Sequence, residues 1–285
     1  MGREASVLVV GAEGVLGSAV AASLAGRGTR VVGTSRRGTA GLLRLDLAAP
    51  ASSWRLPEGV AAAVICAAVT STAECRLRTA HARLVNVDAT IEVASRLVAA
   101  GARVVFPSSN QVFDGAIARV PADAPPSPRT AYGRMKAEAE AAIRGLGELA
   151  TVVRLTKVVH RRMPLFAGWF ESLARGRPVE PYADLPLAPL TPHFAAAALV
   201  AALGPGVGAV VQVSATDDVT YADVAVRMAR AAGRPVELVR PVSVAAAGSD
   251  LEHVPLHATL DTTTLRQRLG FEPPCPWTAV DALAG

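Results

Sequence analysis

Short apolar runs, punctuated by glycine, proline and charge, divide the first hundred and fifty residues or so into alternating strand and helix signals. Residues 6–10, 29–33, 43–47, 60–68, 103–106 and 150–155 read as six strands, each a compact Val/Leu/Ala-rich run ended by small or polar residues. Between them, 19–26 has helical spacing. Over 79–100, Val85, Val87, Ile91, Val93, Ala94, Leu97 and Val98 form one apolar helical face, which Gly101 closes. Asn86 interrupts that face, so its amide is either satisfied locally or directed to a site. The alternation predicts an α/β fold, a doubly wound parallel sheet.

The texture changes after the sixth strand. A helix over 166–174 carries Trp169 and Phe170, and a Pro-punctuated stretch, 185–192, leads to an Ala-rich helix that ends before Gly204. Residues 209–213 read as a further strand, and Thr220 as the cap of a helix running to Ala232. The expected division is a nucleotide-binding domain over 1–158, to which 187–214 returns, and a small substrate-binding subdomain from 159–186 and 215–285. No internal repeat or long linker separates them.

Composition narrows the class. With 51% hydrophobic but only 4% aromatic residues in 285, the core must be built from Ala, Val and Leu, as suits helices on a buried parallel sheet. The net charge of +5 is spread along the chain without a basic block, which argues against nucleic acid and fits a small acidic ligand. Cys66, Cys75 and Cys275 have no metal-ligand spacing, and Cys66 lies in an apolar run that reads as core. Residues 1–5 lead straight into the first strand, unlike a secretory signal, and no run reaches the eighteen apolar residues of a membrane span. A soluble cytoplasmic protein is expected.

The first strand is followed at once by Gly11, Gly14 and Gly17, spaced G-x-x-G-x-x-G, with Val15 and Leu16 inside the motif. Glycines between a strand and a helix let backbone amides approach a pyrophosphate, the arrangement of a Rossmann dinucleotide site. The second strand ends in Thr34, Ser35, Arg36 and Arg37 without an acid, which favours the 2′-phosphate of NADP over the ribose of NAD, NAD remaining open. Asp46, beside Leu47, is placed to accept from the adenine amino group, and Cys66, Ala67 and Ala68 are small enough for a cofactor to lie close.

Further on, Tyr132 and Lys136 stand one helical turn apart, and Ser108 and Ser109 follow the fifth strand. A phenol titrates near pH 10; a neighbouring ammonium favours its anion and brings it closer to neutrality, while a serine hydroxyl holds a carbonyl oxygen. Ser109, Tyr132 and Lys136 therefore form a candidate catalytic set for reducing a ketone.

Taken together these residues resemble an extended short-chain dehydrogenase/reductase, and within it the dTDP-4-dehydrorhamnose reductase group. The resemblance rests on the glycine loop, on Cys66-Ala67-Ala68, on 85–90 with Asn86, and on the run Ser108 to Gly115. The Tyr132/Lys136 pair and the closing Leu265-x-x-x-Leu269-Gly270-Phe271 complete it. It implies that Ser109 binds the substrate carbonyl, Tyr132 is the general acid, and Lys136 tunes Tyr132 and holds the nicotinamide ribose. The substrate implied is a nucleotide sugar, and a homodimer is implied at the level of the family.

Three departures stand out. Asn110 and Gln111 replace an Asp-Tyr pair, and related dehydratases carry an Asp-Glu pair there, so dehydration lacks its acid and base. Lys157 replaces an aromatic residue, and His160-Arg161-Arg162 replaces a glycine-containing turn. Asn110, Lys157, His160 and Arg161 are the candidate substrate contacts, the basic ones suited to a diphosphate or carboxylate. The expected activity is NADPH-dependent reduction of a 4-keto sugar nucleotide or similar ketone. The alternatives are a non-catalytic cofactor-binding subunit and an NAD-dependent epimerase.

Overall fold

A computed structural model describes residues 6–39 and 41–284, so residues 1–5, read above as leading into the first strand, lie outside the described residues. Among the described residues nine strands are formed: β1 (Ser6–Val10), β2 (Arg30–Ser35), β3 (Leu43–Arg44), β4 (Val60–Ile65), β5 (Arg103–Ser109), β6 (Ala150–Leu155), β7 (Pro186–Leu187), β8 (Val210–Val213) and β9 (Val219–Thr220). Seven of them make one sheet in the order β3-β2-β1-β4-β5-β6-β8, every neighbouring pair parallel. The order reverses between β1 and β4, where a doubly wound sheet opens its ligand crevice at the carboxyl ends of the strands. The strands β7 and β9 pair antiparallel in a separate two-stranded sheet.

The period of two along the strands sorts the core onto two faces. Val9, Val64, Val105, Val153 and Val211 pack under α1 (Val15–Ala25) and a later helix whose Ala195, Ala196, Ala198 and Leu199 are fully buried. Leu8, Ile65, Val104, Phe106 and Val152 face the opposite helices, which contribute Val93, Leu97, Ala139 and Ile143. Small side chains let these helices sit close to the sheet, which is how so few aromatic residues suffice.

The boundaries differ from the sequence reading where side chains intervene. The helix α1 begins at Val15 rather than Ala19. The third strand pairs only over Leu43–Arg44, after which the Asp46 carboxylate takes the Ala48 amide and turns the chain. The fourth strand stops at Ile65 because Gly11 crosses Ala67 so closely that a Cβ would lie 2.8 Å from its nitrogen. The fifth runs three residues further, so Ser109 ends β5.

Two short helices, α2 (Thr72–Leu77) and α3 (Thr79–Arg83), precede the long one, and the first was not anticipated, although Ser71 caps it by accepting from the Glu74 amide. The segment read as one helix over 79–100 is interrupted by a wide π turn over Leu84–Ala89 before α4 (Thr90–Ala99). Thr90, the first residue of α4, donates its hydroxyl back to the Val85 carbonyl in that turn at 2.9 Å, and Asn86 within the turn is buried. Such turns interrupt helices beside functional sites with some regularity.

The remaining helices are α5 (Ala131–Arg144), α6 (Pro164–Ala174), α7 (Pro192–Ala201), α8 (Tyr221–Ala231) and α9 (Pro276–Ala284). An aromatic cluster gathers under α6 and α8, where Phe166 meets Trp169 edge-on at 5.6 Å and stacks on Tyr221 at 6.3 Å. The expected cap at Thr220 is a full capping box with Asp223. Among the described residues no helix is long and apolar enough to cross a membrane.

Candidate active site

Two openings flank the carboxyl ends of the strands. The first, about 270 Å³, runs over the β1–α1 turn and is walled by Gly11, Gly14, Ser35, Arg36, Asp46, Leu47, Cys66, Ala67 and Ala68. A Cβ on Gly17 would lie 2.2 Å from the Gly11 carbonyl oxygen, so only glycine lets α1 start so near the turn. Gly14 caps α1 without a side-chain acceptor, leaving its first amides without one. Val15 and Leu16 are part of that first turn, Val15 exposed and Leu16 packed on the core. This cradle, filled by any side chain larger than hydrogen, fits a dinucleotide pyrophosphate.

Around it, Ser35 is buried and takes the Gly38 amide at 2.9 Å. Arg36 is exposed at the rim, while Arg37 pairs with Glu13 of the glycine loop at 3.1 Å. Cys66, expected in the core, is half-buried in the groove wall, and burial pushes its thiol up to about 12. All three cysteines are free. Asn86 does not open onto the groove: its amide is spent on the backbone of Val69, accepting from N at 2.8 Å and donating to O at 2.9 Å. It acts beneath the groove, fixing Val69, which does line it.

The residues of the candidate catalytic set lie on the end of β5 and the first turns of α5. Lys136 is buried in α5 and donates from Nζ to the Pro107 carbonyl at 2.8 Å, with its ammonium 4.3 Å from the Phe106 ring centre and 5.9 Å from that of Tyr132. Two residues past Pro107, the Ser109 hydroxyl accepts from the Gln111 amide at 3.2 Å and meets Asn110 Oδ1 at 3.4 Å, a long and weak donation. Tyr132 packs with Cys75, Val87 and Met135, against Val69, and follows Thr130, which lines the second opening.

Burial decides the titrations. It pushes the Tyr132 phenol up, and Cys75 adds to the rise, so the downward shift expected from the ammonium is outweighed. Lys136 itself is brought down to about 8 by burial, against the opposing pull of Glu140 and the two cysteines.

The second opening, about 210 Å³, lies beyond Asn110, Gln111 and Thr130 and extends to Leu187 and Tyr221. Lys157 lines it, two residues past the end of β6; it keeps solvent contact, yet the surrounding protein lowers its pKa. His160 and Arg161 are not on this wall: His160 is lowered by burial and by Arg162, and the Arg161 guanidinium lies 6.0 Å from the Phe170 ring. Asn110 reaches the wall and donates from Nδ2 to the Ala258 carbonyl at 3.0 Å.

A strap, residues 250–257, closes this cleft and was not legible as part of a site. Asp250 pairs with Arg76 at 2.5 Å, Glu252 takes the Ala131 amide at the start of α5 at 3.0 Å, and His253 Nε2 meets the Asp114 carbonyl at 2.6 Å. Its tethers come from elements more than a hundred residues away, so neither periodicity nor spacing marks them.

The sequence over 5–283 matches the model of the RmlD substrate binding domain family. A search of curated proteins finds no match. Among solved structures, dTDP-4-dehydrorhamnose reductase from Bacillus anthracis in complex with NADP superposes with a TM-score of 0.85 at 20% identity, covering 99% of this chain and 98% of that one. MoeE5 in complex with UDP-glucuronic acid and NAD gives 0.78 at 26% identity, over 94% and 93%. UDP-glucose 4-epimerase from Thermotoga maritima gives 0.74 at 18% identity, over 98% and 97%. With a matching model over nearly its whole length, on a seven-stranded dinucleotide-type sheet, the chain belongs to the RmlD family, the dTDP-4-dehydrorhamnose reductase group of NAD(P)-dependent oxidoreductases.

Proposed function

We propose that this protein reduces a 4-keto sugar nucleotide, or a similar ketone, with NADPH as the hydride donor. The observation that carries the reading is the Lys136 ammonium, bonded to the Pro107 carbonyl two residues before Ser109 and 5.9 Å from the Tyr132 ring centre, in a protein that has both a glycine-walled groove and a cleft lined by Asn110 and Lys157. Residues 1–158, with 187–214, hold the dinucleotide in this reading, and 159–186 with 215–285 hold the substrate.

When bound, the nicotinamide supplies the hydride. The protein supplies the proton and the oxygen site. A phenol whose pKa is raised by burial carries its proton at neutral pH, as an acid for ketone reduction must. The Lys136 ammonium polarises the same region, and Ser109 has only a weak donation to Asn110 to give up before binding the carbonyl oxygen. Lys157 and Arg129, on the cleft wall, suit the negative charge of a nucleotide sugar. Arg36, at the groove rim, favours NADPH.

The test is a titration with NADPH and NADH by nicotinamide fluorescence, followed by oxidation of bound NADPH on adding dTDP- or UDP-linked 4-keto-6-deoxyhexoses. Tight NADPH binding and oxidation by one of them support the reading; binding of neither dinucleotide sinks it and makes a non-catalytic role the leading one. An NAD-dependent epimerase is the second reading, favoured by the Glu13 carboxylate that holds Arg37 and by the NAD bound to MoeE5. It expects NADH to bind tightly and no net oxidation.

A further inference from the structure

A second proton-handling pair lies in the substrate cleft, apart from Ser109, Tyr132 and Lys136. Asp218, directly before β9, accepts the amides of Ala258 at 3.0 Å and Thr259 at 2.9 Å with Oδ1, and its Oδ2 meets His257 Nδ1 at 3.1 Å. Two amide donors fix that carboxylate in place, and a fixed carboxylate on Nδ1 orients the imidazole and leaves the lone pair of the neutral ring on Nε2. His257 lines the cleft and keeps 41% of its side-chain surface accessible.

The pair is joined to the reacting end of the cleft. Asn110 donates to the carbonyl of Ala258, the residue next to His257, and its Oδ1 faces the Ser109 hydroxyl. Two hydrogen bonds and one peptide thus connect His257 with the hydroxyl placed to hold a ketone oxygen. A purely structural duty does not need the imidazole, because the Ala258 and Thr259 amides already tie this segment to Asp218.

We propose that His257 is a catalytic base for the carbon next to the ketone, giving the protein an enolisation activity beside its reductase activity. This rests on the keto-sugar reading above. The C–H bond breaks, its proton passes to Nε2, and its electron pair becomes the C=C bond of an enolate whose oxygen is held at Ser109 and Tyr132. Return of a proton from Nε2 to the carbon closes the cycle. No oxidant or reductant is consumed.

The experiment uses the full chain saturated with NADP⁺, so that no hydride can leave, with dTDP-4-keto-6-deoxyglucose in D₂O and mass spectrometry of the recovered sugar. The expected result is deuterium at a carbon flanking the ketone at a rate well above the protein-free solution. His257→Gln should slow it by roughly a hundredfold, the usual worth of a positioned base, while NADPH affinity, which reports folding, is kept. Asp218→Asn should slow it less, because the base remains and only its orientation is loosened. Binding of the sugar nucleotide without exchange, or exchange by His257→Gln at the unmodified rate, overturns this inference and leaves the reductase reading standing. If neither the dTDP- nor the UDP-linked ketone binds, the reductase reading falls and takes the inference with it.

Discussion

Lys136 and Pro107 are joined by a 2.8 Å hydrogen bond from the buried ammonium to a strand carbonyl, so α5 and the end of β5 are locked in register where the proposed proton donor and oxygen binder must meet. The bond also satisfies a charge that burial disfavours. Replacing Tyr132 by Phe removes the proton donor without disturbing that lock. Turnover with a keto sugar nucleotide should fall by about two to four powers of ten while NADPH affinity stays near its original value. A rate equal to the unmodified protein's would exclude Tyr132 as the acid.

The same lysine sets a stability profile. Its pKa falls from 10.5 to about 8 on folding, so between those values the unfolded chain holds a proton that the folded one does not. Stability therefore rises with pH through that window, and below about pH 8 the full cost of the buried charge is present. Urea unfolding of the native protein and of Lys136→Met, compared from pH 7 to 11, should show their difference moving in favour of the native protein between about 8 and 10.5. A flat difference would mean that the ammonium is better solvated than its burial implies.

Arg36 and Arg37 stand side by side but are not equivalent. Arg37 is held by Glu13, whereas Arg36 lines the groove. Arg36→Ala should weaken NADPH binding by roughly tenfold to a hundredfold, the worth of one charge-assisted hydrogen bond, and leave NADH binding nearly unchanged. Glu13→Gln should act oppositely, releasing Arg37 and removing a negative charge near a phosphate. Equal losses for both cofactors in Arg36→Ala would place the 2′-phosphate elsewhere.

Arg154 and Glu140 form a buried ion pair at 2.8 Å, both side chains almost fully enclosed, and Arg154 also donates to the Ala122 carbonyl and to Gln212. Removing one partner strands the other charge. Glu140→Ala should cost about 3–5 kcal/mol in chemical denaturation. The exposed Arg83–Glu138 pair, although well formed, should contribute little that can be measured. A small loss in Glu140→Ala would mean that water reaches Arg154.

Much of this arrangement was legible because it is local. The glycine loop lies between adjacent strand and helix signals, and Tyr132 and Lys136 face one way simply because they are one turn apart. What escaped is set by distant partners. Burial outweighs the ammonium at Tyr132, and only the packing of Cys75, Val69 and Met135 around the phenol reveals it. Asn86 interrupts an apolar face visibly, but that its amide is committed to Val69 rather than to a ligand depends on a residue in a loop. Asp218 and His257, thirty-nine residues apart, carry no pattern until the chain brings them together.

Gly133 sits between Tyr132 and Arg134 in the first turn of α5, and a Cβ there would lie 2.1 Å from the Gln111 carbonyl oxygen. The turn after Ser109 therefore packs directly on the helix bearing Tyr132. Thr130 reinforces the contact, donating to Gln111 Oε1 at 3.0 Å while accepting the Gly133 amide at 3.0 Å. An alanine cannot be absorbed by rotating a side chain, since the obstacle is backbone on both sides. Either α5 retreats or the 110–112 turn does, and each moves Tyr132 relative to Ser109. Gly133→Ala should thus lower kcat by about tenfold or more, since proton transfer needs the donor within hydrogen-bond reach of the oxygen, and reduce Tm by several degrees, as about 1–3 kcal/mol of overpacking would. NADPH affinity should be affected far less, because the glycine loop lies on other elements. Unchanged kcat with a lowered Tm would show that the spacing between Ser109 and Tyr132 tolerates the shift, and that the contact serves stability alone.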